Sequence, residues 1–247
     1  MKIGFRSEAT TRELEIARRV GIEVIELGWY PHTRPQETEI GKRLREYGIG
    51  VSALLTGDEP VAPQLIADLE ATARFGARAF VSHPHPIDPG DAVACRKFQD
   101  TFGPACDYAE KLGVALAVHS CGLDPTQWEL MFSLVPKLRL KYDPSFSLEA
   151  GRNYLAEILK YGRRIVHVHV KDERFMGRDT NFTDGIMHYQ YSPAGTGDIN
   201  WGAVIALLYE VGYQGDLAIE THSRFWWDHL EWDLILGRRH LSQFIVD

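Results

Sequence analysis

Six times along the chain a polar-apolar helical stretch ends in glycine and is followed within a few residues by a short, apolar, often β-branched run. The segments are RRVGIEVIEL, REYGIGVSALL, ARFGARAFVSH, EKLGVALAVHS, KYGRRIVHVHV and YEVGYQGDLAIE. The glycines, Gly21, Gly48, Gly76, Gly113, Gly162 and Gly212, stand where a helix closes on a left-handed residue that glycine adopts without a Cβ penalty. Helix starts agree with these stops. Thr10 with Glu13 reads as a capping box, and Asp124 before Pro125 reads as an N-cap with proline at the first helical position. Adding the first run, KIGFR, and the run LRLKYD, which ends at Asp143, gives eight strands separated by helical segments.

Eight βα units in 247 residues predict a closed α/β barrel, a single (β/α)8 TIM barrel forming one domain over residues 1–247. The competing doubly wound sheet often has a glycine-rich phosphate turn after its first strand, whereas here that turn reads FRSEAT. No linker of Pro, Gly and Ser divides the chain. Its longest irregular stretch runs from about Glu173 to about Asp198, and a loop of that length in a compact domain is usually functional.

The formal net charge of -7 disfavours nucleic acid as a partner, because such binding relies on Lys and Arg neutralising phosphates. The three cysteines, Cys95, Cys106 and Cys121, lack metal-type pair spacing, and their odd number fits a reducing compartment. No apolar run approaches the roughly 18 residues of a membrane span, and the N-terminal run is too short for a signal peptide. The expectation is a cytoplasmic protein without membrane partners.

In a barrel of this kind the site lies at the C-terminal ends of the strands. The polar residues that end the apolar runs are, in order, Arg6, Glu26, His83 with His85, His119, Asp143, His169, and Glu220 with His222. Of these, His119, Asp143, His169 and Glu220 close four successive strands and are expected to converge at the barrel mouth. A cation there would relieve the cost of burying several carboxylates. Two imidazoles and two carboxylates suit Mn, Fe, Co, Ni or Zn better than calcium.

The blocks LKYDP, VHVHVKD, GTGDINW and LAIETH resemble corresponding blocks of the xylose isomerase-like superfamily of sugar isomerases and epimerases. The resemblance implies one divalent metal (Mn favoured, with Co, Zn, Fe, Ni or Mg as alternatives) held by Asp143, His169 and Glu220 and by a fifth-strand residue. That residue is glutamate in many relatives, in a block like LALEN. Here the text is LAVHS, so His119 replaces it, and Phe146 stands where many relatives have histidine.

The implied chemistry is proton abstraction next to a carbonyl of a sugar or keto-sugar, through a metal-stabilised enediolate. Glu220 is the acid-base group that survives; Glu26, His83, His85, Lys171 and His188 are candidates for the second. Arg6, His83, His85, Trp29, Arg174 and Phe146 are candidate substrate contacts, joined by Tyr30 and Trp201 as apolar faces. Arg174 or Arg178 would meet a phosphate if the substrate carries one, although no firm phosphate signature is present and an unphosphorylated sugar is at least as well supported. Because the glutamate pair is incomplete, a dehydratase or glycoside-cleaving lyase is the first alternative. A metal-dependent hydrolase like endonuclease IV is the next, drawing on His83, Asp184 and His188, and a non-catalytic sugar-binding subunit is the last. The aromatic-rich stretch SRFWWDHLEWDLILGRRHL, with Trp226, Trp227 and Trp232, suggests a packed face or a homo-oligomer contact.

Overall fold

The computed structural model describes residues 1–178 and 187–246, without the side chains of residues 177–178 and 187–188. Asp184 and the side chains of Arg178 and His188 therefore lie outside the described residues. Eight parallel strands close into a barrel: β1 (Ile3–Ser7), β2 (Val24–Gly28), β3 (Gly50–Leu55), β4 (Ala79–Ser82), β5 (Ala115–His119), β6 (Arg139–Tyr142), β7 (Ile165–Val170) and β10 (Leu217–Ile219). The expected eight-stranded barrel is thus the fold. Among the described residues no helix is long and apolar enough to cross a membrane.

Local chemistry sets the helices as the sequence suggests. Helix α1 (Thr11–Val20) begins on the reciprocal Thr10–Glu13 capping box, and α5 (Pro125–Leu134) begins on Asp124, whose carboxylate accepts two backbone N–H groups. Five of the repeat glycines, 21, 48, 76, 113 and 212, have φ between 67° and 75°. Gly162 departs from the expectation. It is right-handed, at φ -51°, and opens a 3-10 turn, Gly162–Arg164. A Cβ there would meet the Val211 side chain at 2.5 Å, so close packing against the turn after α8 (Trp201–Glu210) is what calls for glycine.

The stretch expected to be irregular holds an antiparallel hairpin of β8 (Asp172–Arg178) and β9 (Met187–Ser192), outside the barrel sheet. Its cross-strand pair Phe175–Tyr189 brings two rings to 5.4 Å, which is the kind of contact that stabilises such ribbons.

Register positions the site. Along a strand, side chains two apart share a face. His119 of β5 pairs with Lys141 of β6, Lys141 with His167 of β7, and Ala218 of β10 with His169. On the far side of the ring Arg6 pairs with Glu26. The inward residues of several strands therefore meet in one polar cluster inside the upper barrel.

Candidate metal centre at the barrel mouth

Asp143, His169 and Glu220 present one donor atom each within 4.8 Å of one another. Asp143 follows β6 and caps α6 (Pro144–Glu149) with Oδ1, which accepts from the Ser145 N–H (3.0 Å) and hydroxyl (2.7 Å). Its other oxygen, Oδ2, is buried without a hydrogen bond among the described residues, and so is His169 Nδ1. That nitrogen lies 3.0 Å from Glu220 Oε2, close but not aligned as a hydrogen bond. Buried polar atoms without partners are uncommon and call for an explanation. Here two of them belong to residues that, with Glu220, bring donor atoms within 4.8 Å of one another, a spacing that could hold a metal ion.

Glu26 does not reach that space. It is fully buried, with both carboxylate oxygens on His169 Nε2 (2.7 and 2.9 Å) and Oε2 2.6 Å from His167 Nε2. Burial alone would raise its pKa; the two histidines outweigh burial and hold the carboxyl well below the ordinary range. Glu220 behaves similarly, burial being overcome by His169, His222 and Lys141. His222 Nε2 is 3.0 Å from Glu220 Oε2 and is 47% exposed, linking this carboxylate to the surface.

His119 is held differently from the other three residues of its expected set. Its Nδ1 accepts the backbone N–H of Cys121 (2.7 Å) and its Nε2 lies 2.9 Å from Lys141 Nζ, so both ring nitrogens are engaged. It groups with His83, whose ring stacks on it at 4.7 Å, and with Cys121. Burial and the neighbouring Lys141 push its pKa well down.

Lys141 is the residue that the sequence reading passed over. It is fully buried, 3.7 Å from Asp143 Oδ2, and burial pulls its pKa down against the pull of Asp143, Glu220 and Glu26. The available signal was a lysine two residues before a strand-end aspartate, hence on the same inward face.

The remaining candidates divide between the mouth and elsewhere. Arg6 donates to the Tyr30 hydroxyl and lies 3.9 Å from Glu220 Oε1. Lys171 lies over the Phe146 ring at 4.3 Å, and Phe146 is edge-on to His119. Trp29 is in the core, donating to Asp68. His85 is exposed and lines a groove with Lys97 and Phe98 of α4 (Ala92–Leu112), while Arg174 is exposed and donates to the Thr196 carbonyl. Trp201 is buried at the start of α8.

The hairpin root carries its own buried charge. Glu173 lies 2.9 Å from Lys171 Nζ, which also reaches Glu149 at 3.3 Å. Burial, then hydrogen bonding with Glu149, pushes the Glu173 carboxyl up to about 7, against Lys171. A carboxyl raised on folding contributes stability that is present below its unfolded pKa and lost as pH rises through its folded one, here from about 4.5 to about 7. Glu173→Gln keeps the neutral form at every pH. Its unfolding free energy relative to wild type should therefore rise between pH 4.5 and pH 8 in parallel urea titrations; a constant difference would refute the shift.

With this geometry in view, comparison with known proteins places the chain. The family described as xylose isomerase-like TIM barrel matches residues 14–233. The chain belongs to that family. The rhizopine catabolism protein MocC of Rhizobium meliloti is 28% identical over 129 residues, 47% of this chain and 40% of that protein, so the chain matches less than half of that relative's length. Among solved structures, the IOLI protein with a binding zinc atom superposes with a TM-score of 0.74 at 18% identity, covering 100% of both chains. The 3-keto-D-glucoside 4-epimerase YcjR from E. coli superposes with a TM-score of 0.73 at 14% identity, covering 97% of this chain and 99% of that one. At these identities the likeness establishes a shared fold.

Proposed function

We propose that this protein is a divalent-metal-dependent isomerase or epimerase of a sugar or keto-sugar, acting by proton removal next to a carbonyl. The observation that carries this reading is the convergence of Asp143, His169 and Glu220, with buried Asp143 Oδ2 and His169 Nδ1 left without hydrogen bonds. We assign these three as the metal ligands and His119 as a wall of the pocket, since both its nitrogens are already engaged. The mixed nitrogen and oxygen set suits Mn, Co, Zn, Fe or Ni, and the zinc in the IOLI structure accords with such a set. When bound, the ion would polarise a carbonyl or hydroxyl oxygen of the substrate.

The protein's own groups handle the proton and the orientation. Glu220, fixed between His169, His222 and Arg6, is the carboxylate placed to accept or return a proton, and half-exposed His222 connects it to solvent. Arg6 and Tyr30 on one side, and Lys141 on the other, offer donors to substrate hydroxyls. Phe146 and the Lys171 side chain close the rim beside Asp143.

The test is metal content of purified protein by elemental analysis, combined with keto-sugar turnover in D2O. Wild type should hold about one ion per chain and exchange the hydrogen next to the substrate carbonyl for deuterium. Glu220→Ala should lose the ion. His119→Ala should retain it, with affinity within about tenfold of wild type, the lower end of what loss of an outer-shell group costs. A wild type that stays metal-free after supplementation would overturn the function, and loss of the ion in His119→Ala would make His119 a fourth ligand.

A further inference from the structure

The metal ligand His169 has two ring nitrogens, and which of them is free is settled by what holds the other. Glu26 takes His169 Nε2 with both oxygens, at 2.7 and 2.9 Å, inside a fully buried carboxylate. A hydrogen bond from that nitrogen leaves the lone pair on Nδ1, the atom that faces Asp143 and Glu220. His167, 2.6 Å from Glu26 Oε2, holds the carboxylate from the side.

Glu26, His167 and His169 also satisfy the bare requirement of three donors close together. Their spacing decides against a second ion. Donor atoms about 2.1 Å from an ion stand about 3.0 Å apart in octahedral and about 3.4 Å in tetrahedral geometry. The two Glu26–His169 contacts, at 2.7 and 2.9 Å, are hydrogen bonds, and His167 Nε2, at 2.6 Å from Glu26 Oε2, stands at ion-pair distance, closer than two ligands of one ion. We infer that Glu26 is a positioning residue, which orients His169 and leaves its Nδ1 free for the metal without itself touching metal or substrate. The inference rests on the metal reading of the same site. It places on the second strand a group that acts across the barrel interior, 143 residues away in sequence.

The experiment measures dissociation constants for Zn and Mn by competition with a chromophoric chelator, in wild type, Glu26→Gln and Glu26→Ala, alongside turnover at saturating metal. Circular dichroism and melting temperature establish that each variant is folded. Glu26→Ala should weaken metal binding toward 100-fold. Glu26→Gln, which retains an acceptor for His169 but no charge, should weaken it by about tenfold and stay folded if the alanine variant does not. The Co-substituted Glu26→Gln protein should show an altered d–d absorption band, and its turnover should recover as metal is added to saturation. Unchanged dissociation constants in a folded variant would overturn the inference. So would turnover lost at full metal occupancy, which would put Glu26 in the proton transfer, or a second ion per wild-type chain that disappears in Glu26→Gln. Wild type that binds no metal would instead overturn the function on which the inference rests.

Discussion

Asn in place of Asp143 should cost at least 10³-fold in kcat/KM, roughly 4 kcal/mol of transition-state stabilisation, while leaving the barrel folded. The two oxygens of this carboxylate have separate duties, and the substitution divides them. Oδ1 caps α6 through the Ser145 N–H and hydroxyl, a duty asparagine performs about as well as aspartate. Oδ2, buried and without a hydrogen bond, is the oxygen we assign to the metal, and an amide there supplies neither a charge nor the same lone pairs. Metal affinity should therefore fall by more than the 10- to 100-fold typical of losing an outer-shell partner. Lys141, 3.7 Å away, loses its nearest carboxylate, so a melting temperature lower by a few degrees is expected. Metal titration and melting curves on the same preparation check both halves. Binding within a factor of about three of wild type would remove Asp143 from the ligand set.

How much of this was legible in the sequence varies with the range of the interactions concerned. Helix stops at Gly21, Gly48, Gly76, Gly113 and Gly212 are local backbone chemistry, and a local reading finds them. Gly162 has the same sequence appearance, yet its need for glycine comes from Val211, far along the chain, which no local rule contains. The β8–β9 hairpin was illegible for a related reason. Its apolar pair Phe175–Tyr189 joins across strands, and Phe175 remains 44% exposed, so neither strand shows a clean alternation of its own.

The candidate site was legible as a list of strand ends and illegible as a set of contacts among them. Asp143, His169, Glu220 and Glu26 all close inward-facing strand positions, but which of them touch one another depends on barrel stagger. Stagger put Glu26 against His169 Nε2 and Glu220 against Nδ1. It also put Lys141 against His119, so that a residue read as a metal ligand by its position has both nitrogens engaged elsewhere. A lysine in a short strand normally reads as solvent-facing, since lysine is almost never fully buried unless paired. Only the closed ring of carboxylates and imidazoles makes its burial intelligible.

Asp172→Ala should be the most destabilising single change at the rim, about 3–5 kcal/mol, or roughly 10 °C in melting temperature for a chain of this size. Asp172 is fully buried at the root of the hairpin, and its two oxygens accept four backbone N–H groups. Oδ1 takes Glu173 (2.9 Å) and Ile199 (3.1 Å), while Oδ2 takes Gly195 (2.9 Å) and Gly197 (3.2 Å). The Gly-Thr-Gly turn is shaped around this carboxylate. A Cβ on Gly197 would stand 2.3 Å from Asp172 Oδ1, and one on Gly195, whose φ is 86°, would meet the His240 ring at 2.3 Å. Alanine at 172 leaves four donors without an acceptor, and each unsatisfied buried donor costs about 1–3 kcal/mol, less where water enters. Asparagine is no remedy, because its NH2 would face the N–H groups of one pair, so Asp172→Asn should lose most of the same stability. Since Lys171 precedes Asp172 and packs on Phe146 beside the proposed metal centre, both variants should also raise KM. Urea unfolding checks the first effect and initial rates the second. A loss below about 1 kcal/mol would mean that the turn holds its shape without the carboxylate, and that the rim is anchored by β9 instead.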